Sequence, residues 1–105
     1  MWLFLSDSYL SVVAHREQPG SLLVRARNKQ HIENFLPGRD WFKLEHSDYP
    51  YRLVISKNEF AELMLDYITD IKYCNFKSSV TENDYRLYCS NIWKLMYEYG
   101  RNYRW

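Results

Sequence analysis

Apolar and polar positions alternate along the first quarter of the chain. Trp2-Leu3-Phe4-Leu5 stops at Ser6-Asp7-Ser8, a turn composition, and Tyr9 to Arg16 resumes the extended pattern. Glu17-Gln18-Pro19-Gly20 then separates it from Leu22-Leu23-Val24-Arg25-Ala26-Arg27, so three strands open the protein as a meander. Successive side chains on a strand point to opposite faces, which puts Leu22, Val24 and Ala26 on one face and Leu23, Arg25 and Arg27 on the other. On the preceding strand Leu10, Val12, Ala14 and Arg16 share a face, opposite Tyr9, Ser11, Val13 and His15. The register of this hairpin stays open: a loop from Glu17 to Gly20 brings Arg16 beside Arg25 and Arg27, and a loop one residue longer brings His15 instead. Either register leaves two arginines and a third group able to carry positive charge on one face.

The remainder switches period twice. Asn28 is placed to cap a short helix with Ile32, Phe35 and Leu36 on one side, Lys29 and His31 at its start, and Pro37-Gly38 at its end. Trp41 to Glu45 and Tyr51 to Ile55 read as a second hairpin around His46-Ser47-Asp48-Tyr49-Pro50. Ser56 and Glu59 form a capping box, and Phe60, Leu63, Met64, Tyr67, Ile68 and Ile71 follow at helical spacing. Residues 72–80 have no clean period and read as a long connection. Thr81 and Asp84 make another capping-box pattern before the stripe Tyr85, Tyr88, Cys89, Ile92, Trp93, Met96 and Tyr99, with Gly100 as the residue that ends the helix. The tail Arg101-Asn102-Tyr103-Arg104-Trp105 is basic with two further aromatics. The expected fold is therefore α+β in one domain, residues 1–105: an antiparallel sheet of about five strands, built as a meander, a short helix and a hairpin, with two C-terminal helices packed on one face. The other sheet face is left to water or to a partner.

Composition narrows the functional classes. Lys and Arg total 14 against 13 Asp and Glu in 105 residues, so no global field draws the chain to nucleic acid or an anionic membrane, and such binding needs a local patch. Ten Tyr and four Trp exceed what a core of this size hides, and exposed Tyr, Trp and Arg are the residues that anchor interfaces. Cys74 and Cys89 follow no metal spacing and read as thiols in a reducing cytoplasm. His15, His31 and His46 suggest no metal site, and the opening apolar run is too short for a signal or a membrane span. A cytoplasmic location without membrane contact is expected.

There is no P-loop, dinucleotide glycine pattern, nucleophile elbow or histidine pair at ligand spacing, so catalysis is not the leading reading and no cofactor is called for. An enzyme on these residues would be a metal-independent ribonuclease-like one, with His15 as acid or base, Arg25 and Arg27 holding phosphate, and Lys77 or Tyr51 nearby. A phosphate-backbone binder of RNA or DNA would use Arg16, Arg25, Arg27 and Lys29, with Tyr9 or Trp41 as stacking platforms. The favoured reading is a small non-enzymatic protein that binds through an arginine and aromatic surface. Its candidate contact residues are Arg16, Arg25, Arg27, Lys29, Tyr51, Asn75 and Lys77. The aromatics around the last helix, Tyr97 and Trp105 among them, suit a homodimer through that helix.

The opening tryptophan, Ser11-Val12-Val13-Ala14-His15-Arg16, Leu22-Leu23-Val24-Arg25-Ala26-Arg27, Asp48-Tyr49-Pro50-Tyr51-Arg52, Tyr73-Cys74-Asn75-Phe76-Lys77 and Trp93 together cover most of the length. On these segments the chain resembles a small, widespread, functionally uncharacterised group of bacterial and phage proteins. The resemblance implies no activity. Its association with mobile elements implies a stoichiometric role against a host macromolecular complex, such as a defence complex, with a host protein or nucleoprotein as partner.

Overall fold

A computed structural model describes residues 1–103; Arg104 and Trp105, the last part of the basic tail, lie outside the described residues. Contacts within the chain gather into two compact units, 1–72 and the residues from Tyr73 onward.

The first unit holds the sheet. Strands β1 (Trp2–Leu5), β2 (Ser8–Ala14), β3 (Ser21–Ala26), β4 (Phe42–Lys43) and β5 (Tyr51–Ser56) pair antiparallel throughout, in the order β1-β2-β3-β5-β4. The α+β expectation with five antiparallel strands holds. Helix α1 (Lys29–Phe35) contacts β2, β3 and β5, and α2 (Lys57–Thr69) contacts β5. Between them and the sheet lies the core of Leu10, Val12, Val24, Ala26, Ile32, Phe35, Leu53, Ile55 and Phe60. These strand residues are the alternate positions read from the sequence, and their removal from water is the main force holding the unit together.

Local signals act where they were read. Asn28 caps α1 by accepting from the Gln30 N–H at 2.8 Å, and Ser56 caps α2 by accepting from the Glu59 N–H at 3.1 Å. Glu59 itself turns away from the capping box to pair with Arg39. Two contacts pin α1 to the β1–β2 connection: the Tyr9 N–H donates to His31 Nδ1 at 3.0 Å, and Asn34 Nδ2 donates to the Asp7 carbonyl at 2.8 Å.

The β2–β3 hairpin takes the longer loop. Ser11 stands opposite Arg25 and Ala14 opposite Leu22, so the odd-numbered side chains of β2 share a face with Arg25. Strand β2 ends at Ala14 rather than at Arg16, and Gly20 turns the chain at φ 83°, a conformation that favours a residue without a Cβ.

The second unit holds α3 (Phe76–Ser79) and α4 (Asn83–Asn102). The connection expected over 72–80 thus contains a short helix, capped where Asn75 Oδ1 accepts from the Ser78 N–H at 3.2 Å. Glu82, not Thr81, caps α4 by accepting from the Tyr85 N–H, and the helix continues through Gly100 to Asn102. An unbroken run of i to i−4 bonds carries past one glycine at a cost of about 1 kcal/mol. Lys77 lies over the Trp93 ring at 3.9 Å and joins α3 to α4. Cys74 is exposed, Cys89 is buried, and both are free; burial pushes the Cys89 thiol up.

Candidate functional site

Directly opposed residues in a sheet share a face, so the register assigns the surface facing away from α1 and α2. One row crosses all five strands: Trp2, Ser11, Arg25, Arg52 and Phe42. A second row holds Phe4 and Tyr9, stacked at 4.6 Å between centroids. The edge rings of the first row are open to water, Trp2 at 69% and Phe42 at 47% exposure. None of the five strands contains Asp or Glu.

The centre of this surface is Tyr49, which the β4–β5 loop lays over the sheet. The loop turns through His46 at φ 62°, and Ser47 Oγ then accepts from the Tyr49 N–H at 3.2 Å. Arg52 reaches back from β5, donating through Nε to the Tyr49 carbonyl at 3.0 Å and through Nη2 to Ser47 Oγ at 2.8 Å. Tyr49 is thereby left only 4% exposed. The Arg25 and Arg27 guanidinium carbons lie 4.7 and 4.6 Å from its ring centroid, within cation–π range. Arg25 also donates through Nη2 to Ser11 Oγ at 2.7 Å, while its Nε is buried without a hydrogen-bond partner.

The Tyr9 and Tyr49 hydroxyls are 2.8 Å apart. Burial and the hydrogen bond to Tyr49 push Tyr9 up to about 12. Burial also opposes ionisation of Tyr49, but the hydrogen bonds from Tyr9 and Arg27, with the Arg27 charge, outweigh it and hold Tyr49 below the ordinary phenol value. The two hydroxyls thus share one hydrogen bond but differ in acidity, Tyr9 being the weaker acid and Tyr49 the stronger.

No carboxylate lies within ion-pair distance of Arg25, Arg27 or Arg52 among the described residues, where the ion pairs are Arg39 with Glu59 and Lys43 with Glu45. Arg25 and Arg52 stand directly opposite each other across β3 and β5. Like charges so placed destabilise a sheet, and among the described residues it is neutral partners, Ser11, Ser47 and Tyr49, that hold them rather than an ion pair.

The residues singled out in the sequence divide. Arg25 and Arg27 come together as read, on one face with Tyr9. His15 has the same parity, but it follows the end of β2 four residues beyond Ser11, about 13 Å along the strand. There its Nδ1 accepts from the Glu17 N–H. Arg16 lies in the exposed hairpin bend, off that face. Lys29 sits over the Trp41 ring at 5.7 Å, and Tyr51 points to the core side, edge-on to Trp41. Asn75 and Lys77 belong to the second unit, as helix cap and Trp93 partner. Tyr49, Ser47 and Arg52 were not singled out as contacts. Strand alternation puts Arg52 on the face opposite the buried Leu53 and Ile55, but its pairing with β3 is a long-range fact.

A shallow depression of about 590 Å³ runs beside α1, walled by Asp7, Glu33, Asn34, Arg39 and Trp41, and converges no catalytic set. No cluster of His, Cys, Asp and Glu able to hold a metal ion occurs among the described residues, and no helix there is long and apolar enough to cross a membrane. No protein-family model matches the chain, and neither curated proteins nor solved structures show a match to it.

Proposed function

We propose that the protein is a non-enzymatic binding module that acts stoichiometrically on an anionic partner through the sheet face around Tyr49, in the cytoplasm. The observation that carries this reading is the opposed pair Arg25 and Arg52, with Arg27 beside it and no ion pair to any of the three among the described residues. The guanidiniums are held by a tyrosine ring, hydroxyls and a backbone carbonyl rather than by ion pairs, so they are positioned with their positive charge intact, which suits a surface that meets an anion. The exposed rings of Trp2 and Phe42 flank the charges, the pairing of arginine with aromatic residues that dominates interface energetics. Two unpaired cysteines suit a reducing compartment.

The dispersal of the ribonuclease-like set within the first unit supports binding over turnover, since His15 and Tyr51 do not gather at Arg25 and Arg27. The resemblance to phage and mobile-element proteins makes a host nucleoprotein complex the partner to seek. Immobilised wild type and His15→Ala are expected to retain the same macromolecules from host extract, at one equivalent per binding site. Arg27→Glu combined with Arg25→Ser is expected to release them. Equal retention by the double arginine variant, with its circular dichroism unchanged, would sink the reading.

A second surface favours self-association. Tyr88, Ile92, Leu95 and Tyr99 follow spacings of four, three and four along α4, a coiled-coil seam, and all four are exposed. We propose that a second copy covers this seam, because an identical helix presents the complementary ridge. Sedimentation is expected to show a dimer that Leu95→Glu converts to monomer.

A further inference from the structure

The geometry points to a single-stranded nucleic acid as the occupant of this sheet face. The inference rests on the binding reading above and names the ligand class. Two features of the face select that chemistry. Its charge is mainly of one sign: among the described residues Arg25, Arg27 and Arg52 make no ion pair, Asp48 acts on Arg27 only at longer range, and no strand carries an acid, although the whole chain has a formal net charge of only +1. Apart from Asp48 in the β4–β5 loop, the groups acting on the Arg27 charge are phenols rather than carboxylates, so three guanidiniums outweigh one acid here.

The second feature is the alternation of charge with open rings. Along the central row, Trp2 and Phe42 stand at the two sheet edges with Arg25 and Arg52 between them. Four strand spacings separate the edge rings, about 19 Å, a span for a few nucleotides. A single strand offers the complementary alternation, phosphates for the guanidiniums and unpaired base faces for the rings. Duplex bases are stacked on one another and cannot use Trp2 and Phe42. An acidic protein surface also satisfies the arginines and packs on the rings, but a single strand repeats charge and flat ring at regular spacing along one polymer, as this row does. The Tyr49 ring between Arg25 and Arg27 holds the two guanidiniums in place before a ligand arrives, lowering the entropic cost of binding.

The test is fluorescence anisotropy of the full chain with labelled oligouridine and oligothymidine, a duplex of the same length, and labelled oligoglutamate. The single strands are expected to bind, with a log–log salt slope near −2 for three phosphates at about −0.7 each. Arg27→Glu is expected to abolish binding. Trp2→Ala and Phe42→Ala are each expected to weaken it by about fivefold to a hundredfold, the range of base–aromatic stacking. Both ring variants leave the buried core untouched. Equal affinity for duplex, or single-strand affinity indifferent to both ring variants, overturns the inference. Binding of oligoglutamate alone, lost in Arg27→Glu, overturns it while keeping the anionic-partner reading; binding of none of the four probes removes both.

Discussion

The Tyr9 and Tyr49 hydroxyls share a hydrogen bond across 2.8 Å, although 40 positions separate them in the chain. That contact closes the β4–β5 loop onto β2 and places the Tyr49 ring where Arg25 and Arg27 meet it. Burial and then this contact raise Tyr9, while the same contact and Arg27 lower Tyr49 against burial.

A tyrosinate absorbance titration is expected to resolve one phenol ionising below the ordinary value of 10.0 and one at about 12. Tyr9→Phe removes the late transition and, by removing the hydrogen bond that lowers Tyr49, moves the early one upward. Because Tyr9 is raised in the folded state, the folded chain holds its proton where the unfolded chain has lost it. Its contribution is complete below pH 10 and is lost as pH rises to about 12. Alkaline unfolding of Tyr9→Phe is expected to have a shallower pH dependence in that window.

Arg52→Ala removes the donors to the Tyr49 carbonyl and Ser47 Oγ. The expected loss is about 1–3 kcal/mol, the range for hydrogen bonds from a charged group. Amide exchange in residues 44–50 is expected to quicken while exchange in β2 and β3 stays slow.

Arg25→Met exchanges a contact with the Tyr49 ring and a bond to Ser11 for relief of an unpartnered buried Nε and of the opposed Arg52 charge. These effects oppose one another, so denaturant unfolding is expected to shift by less than about 1 kcal/mol. Loss of binding with stability preserved would separate the role of this residue from folding.

His46 holds φ at 62°, where a side chain costs about 1–2 kcal/mol. His46→Gly is expected to be neutral or stabilising by up to about 1 kcal/mol. His46→Val adds a branched Cβ to that strained backbone and is expected to destabilise the loop, read as a lower Tm.

Leu10 is fully buried at the centre of the first unit's core. Leu10→Ala is expected to cost about 2–5 kcal/mol in chemical denaturation, through lost burial and the cavity left behind.

Much of this was legible before any coordinates. Strand alternation, the caps Asn28 and Ser56, and the five-strand antiparallel architecture follow from side-chain direction and backbone hydrogen bonding over a few residues, forces that act within the span the sequence displays. The same locality put Arg25 and Arg27 on one face. It misplaced the start of α4 by one residue and its end by two or more, because Glu82 and Thr81 are both competent caps and Gly100 costs a helix less than a break does.

The tertiary structure decided what lies opposite what. The hairpin register sent Arg16 into the bend and left His15 beyond the arginines, and the β3–β5 pairing set Arg52 against Arg25. Tyr49 reached the centre of the face only because its loop folds back over the sheet. Those relations depend on contacts between segments far apart in the chain, where a shift of one residue in register reverses every side chain. The local pattern determined which side chains each strand offers to each face; packing across the sheet determined which of them meet.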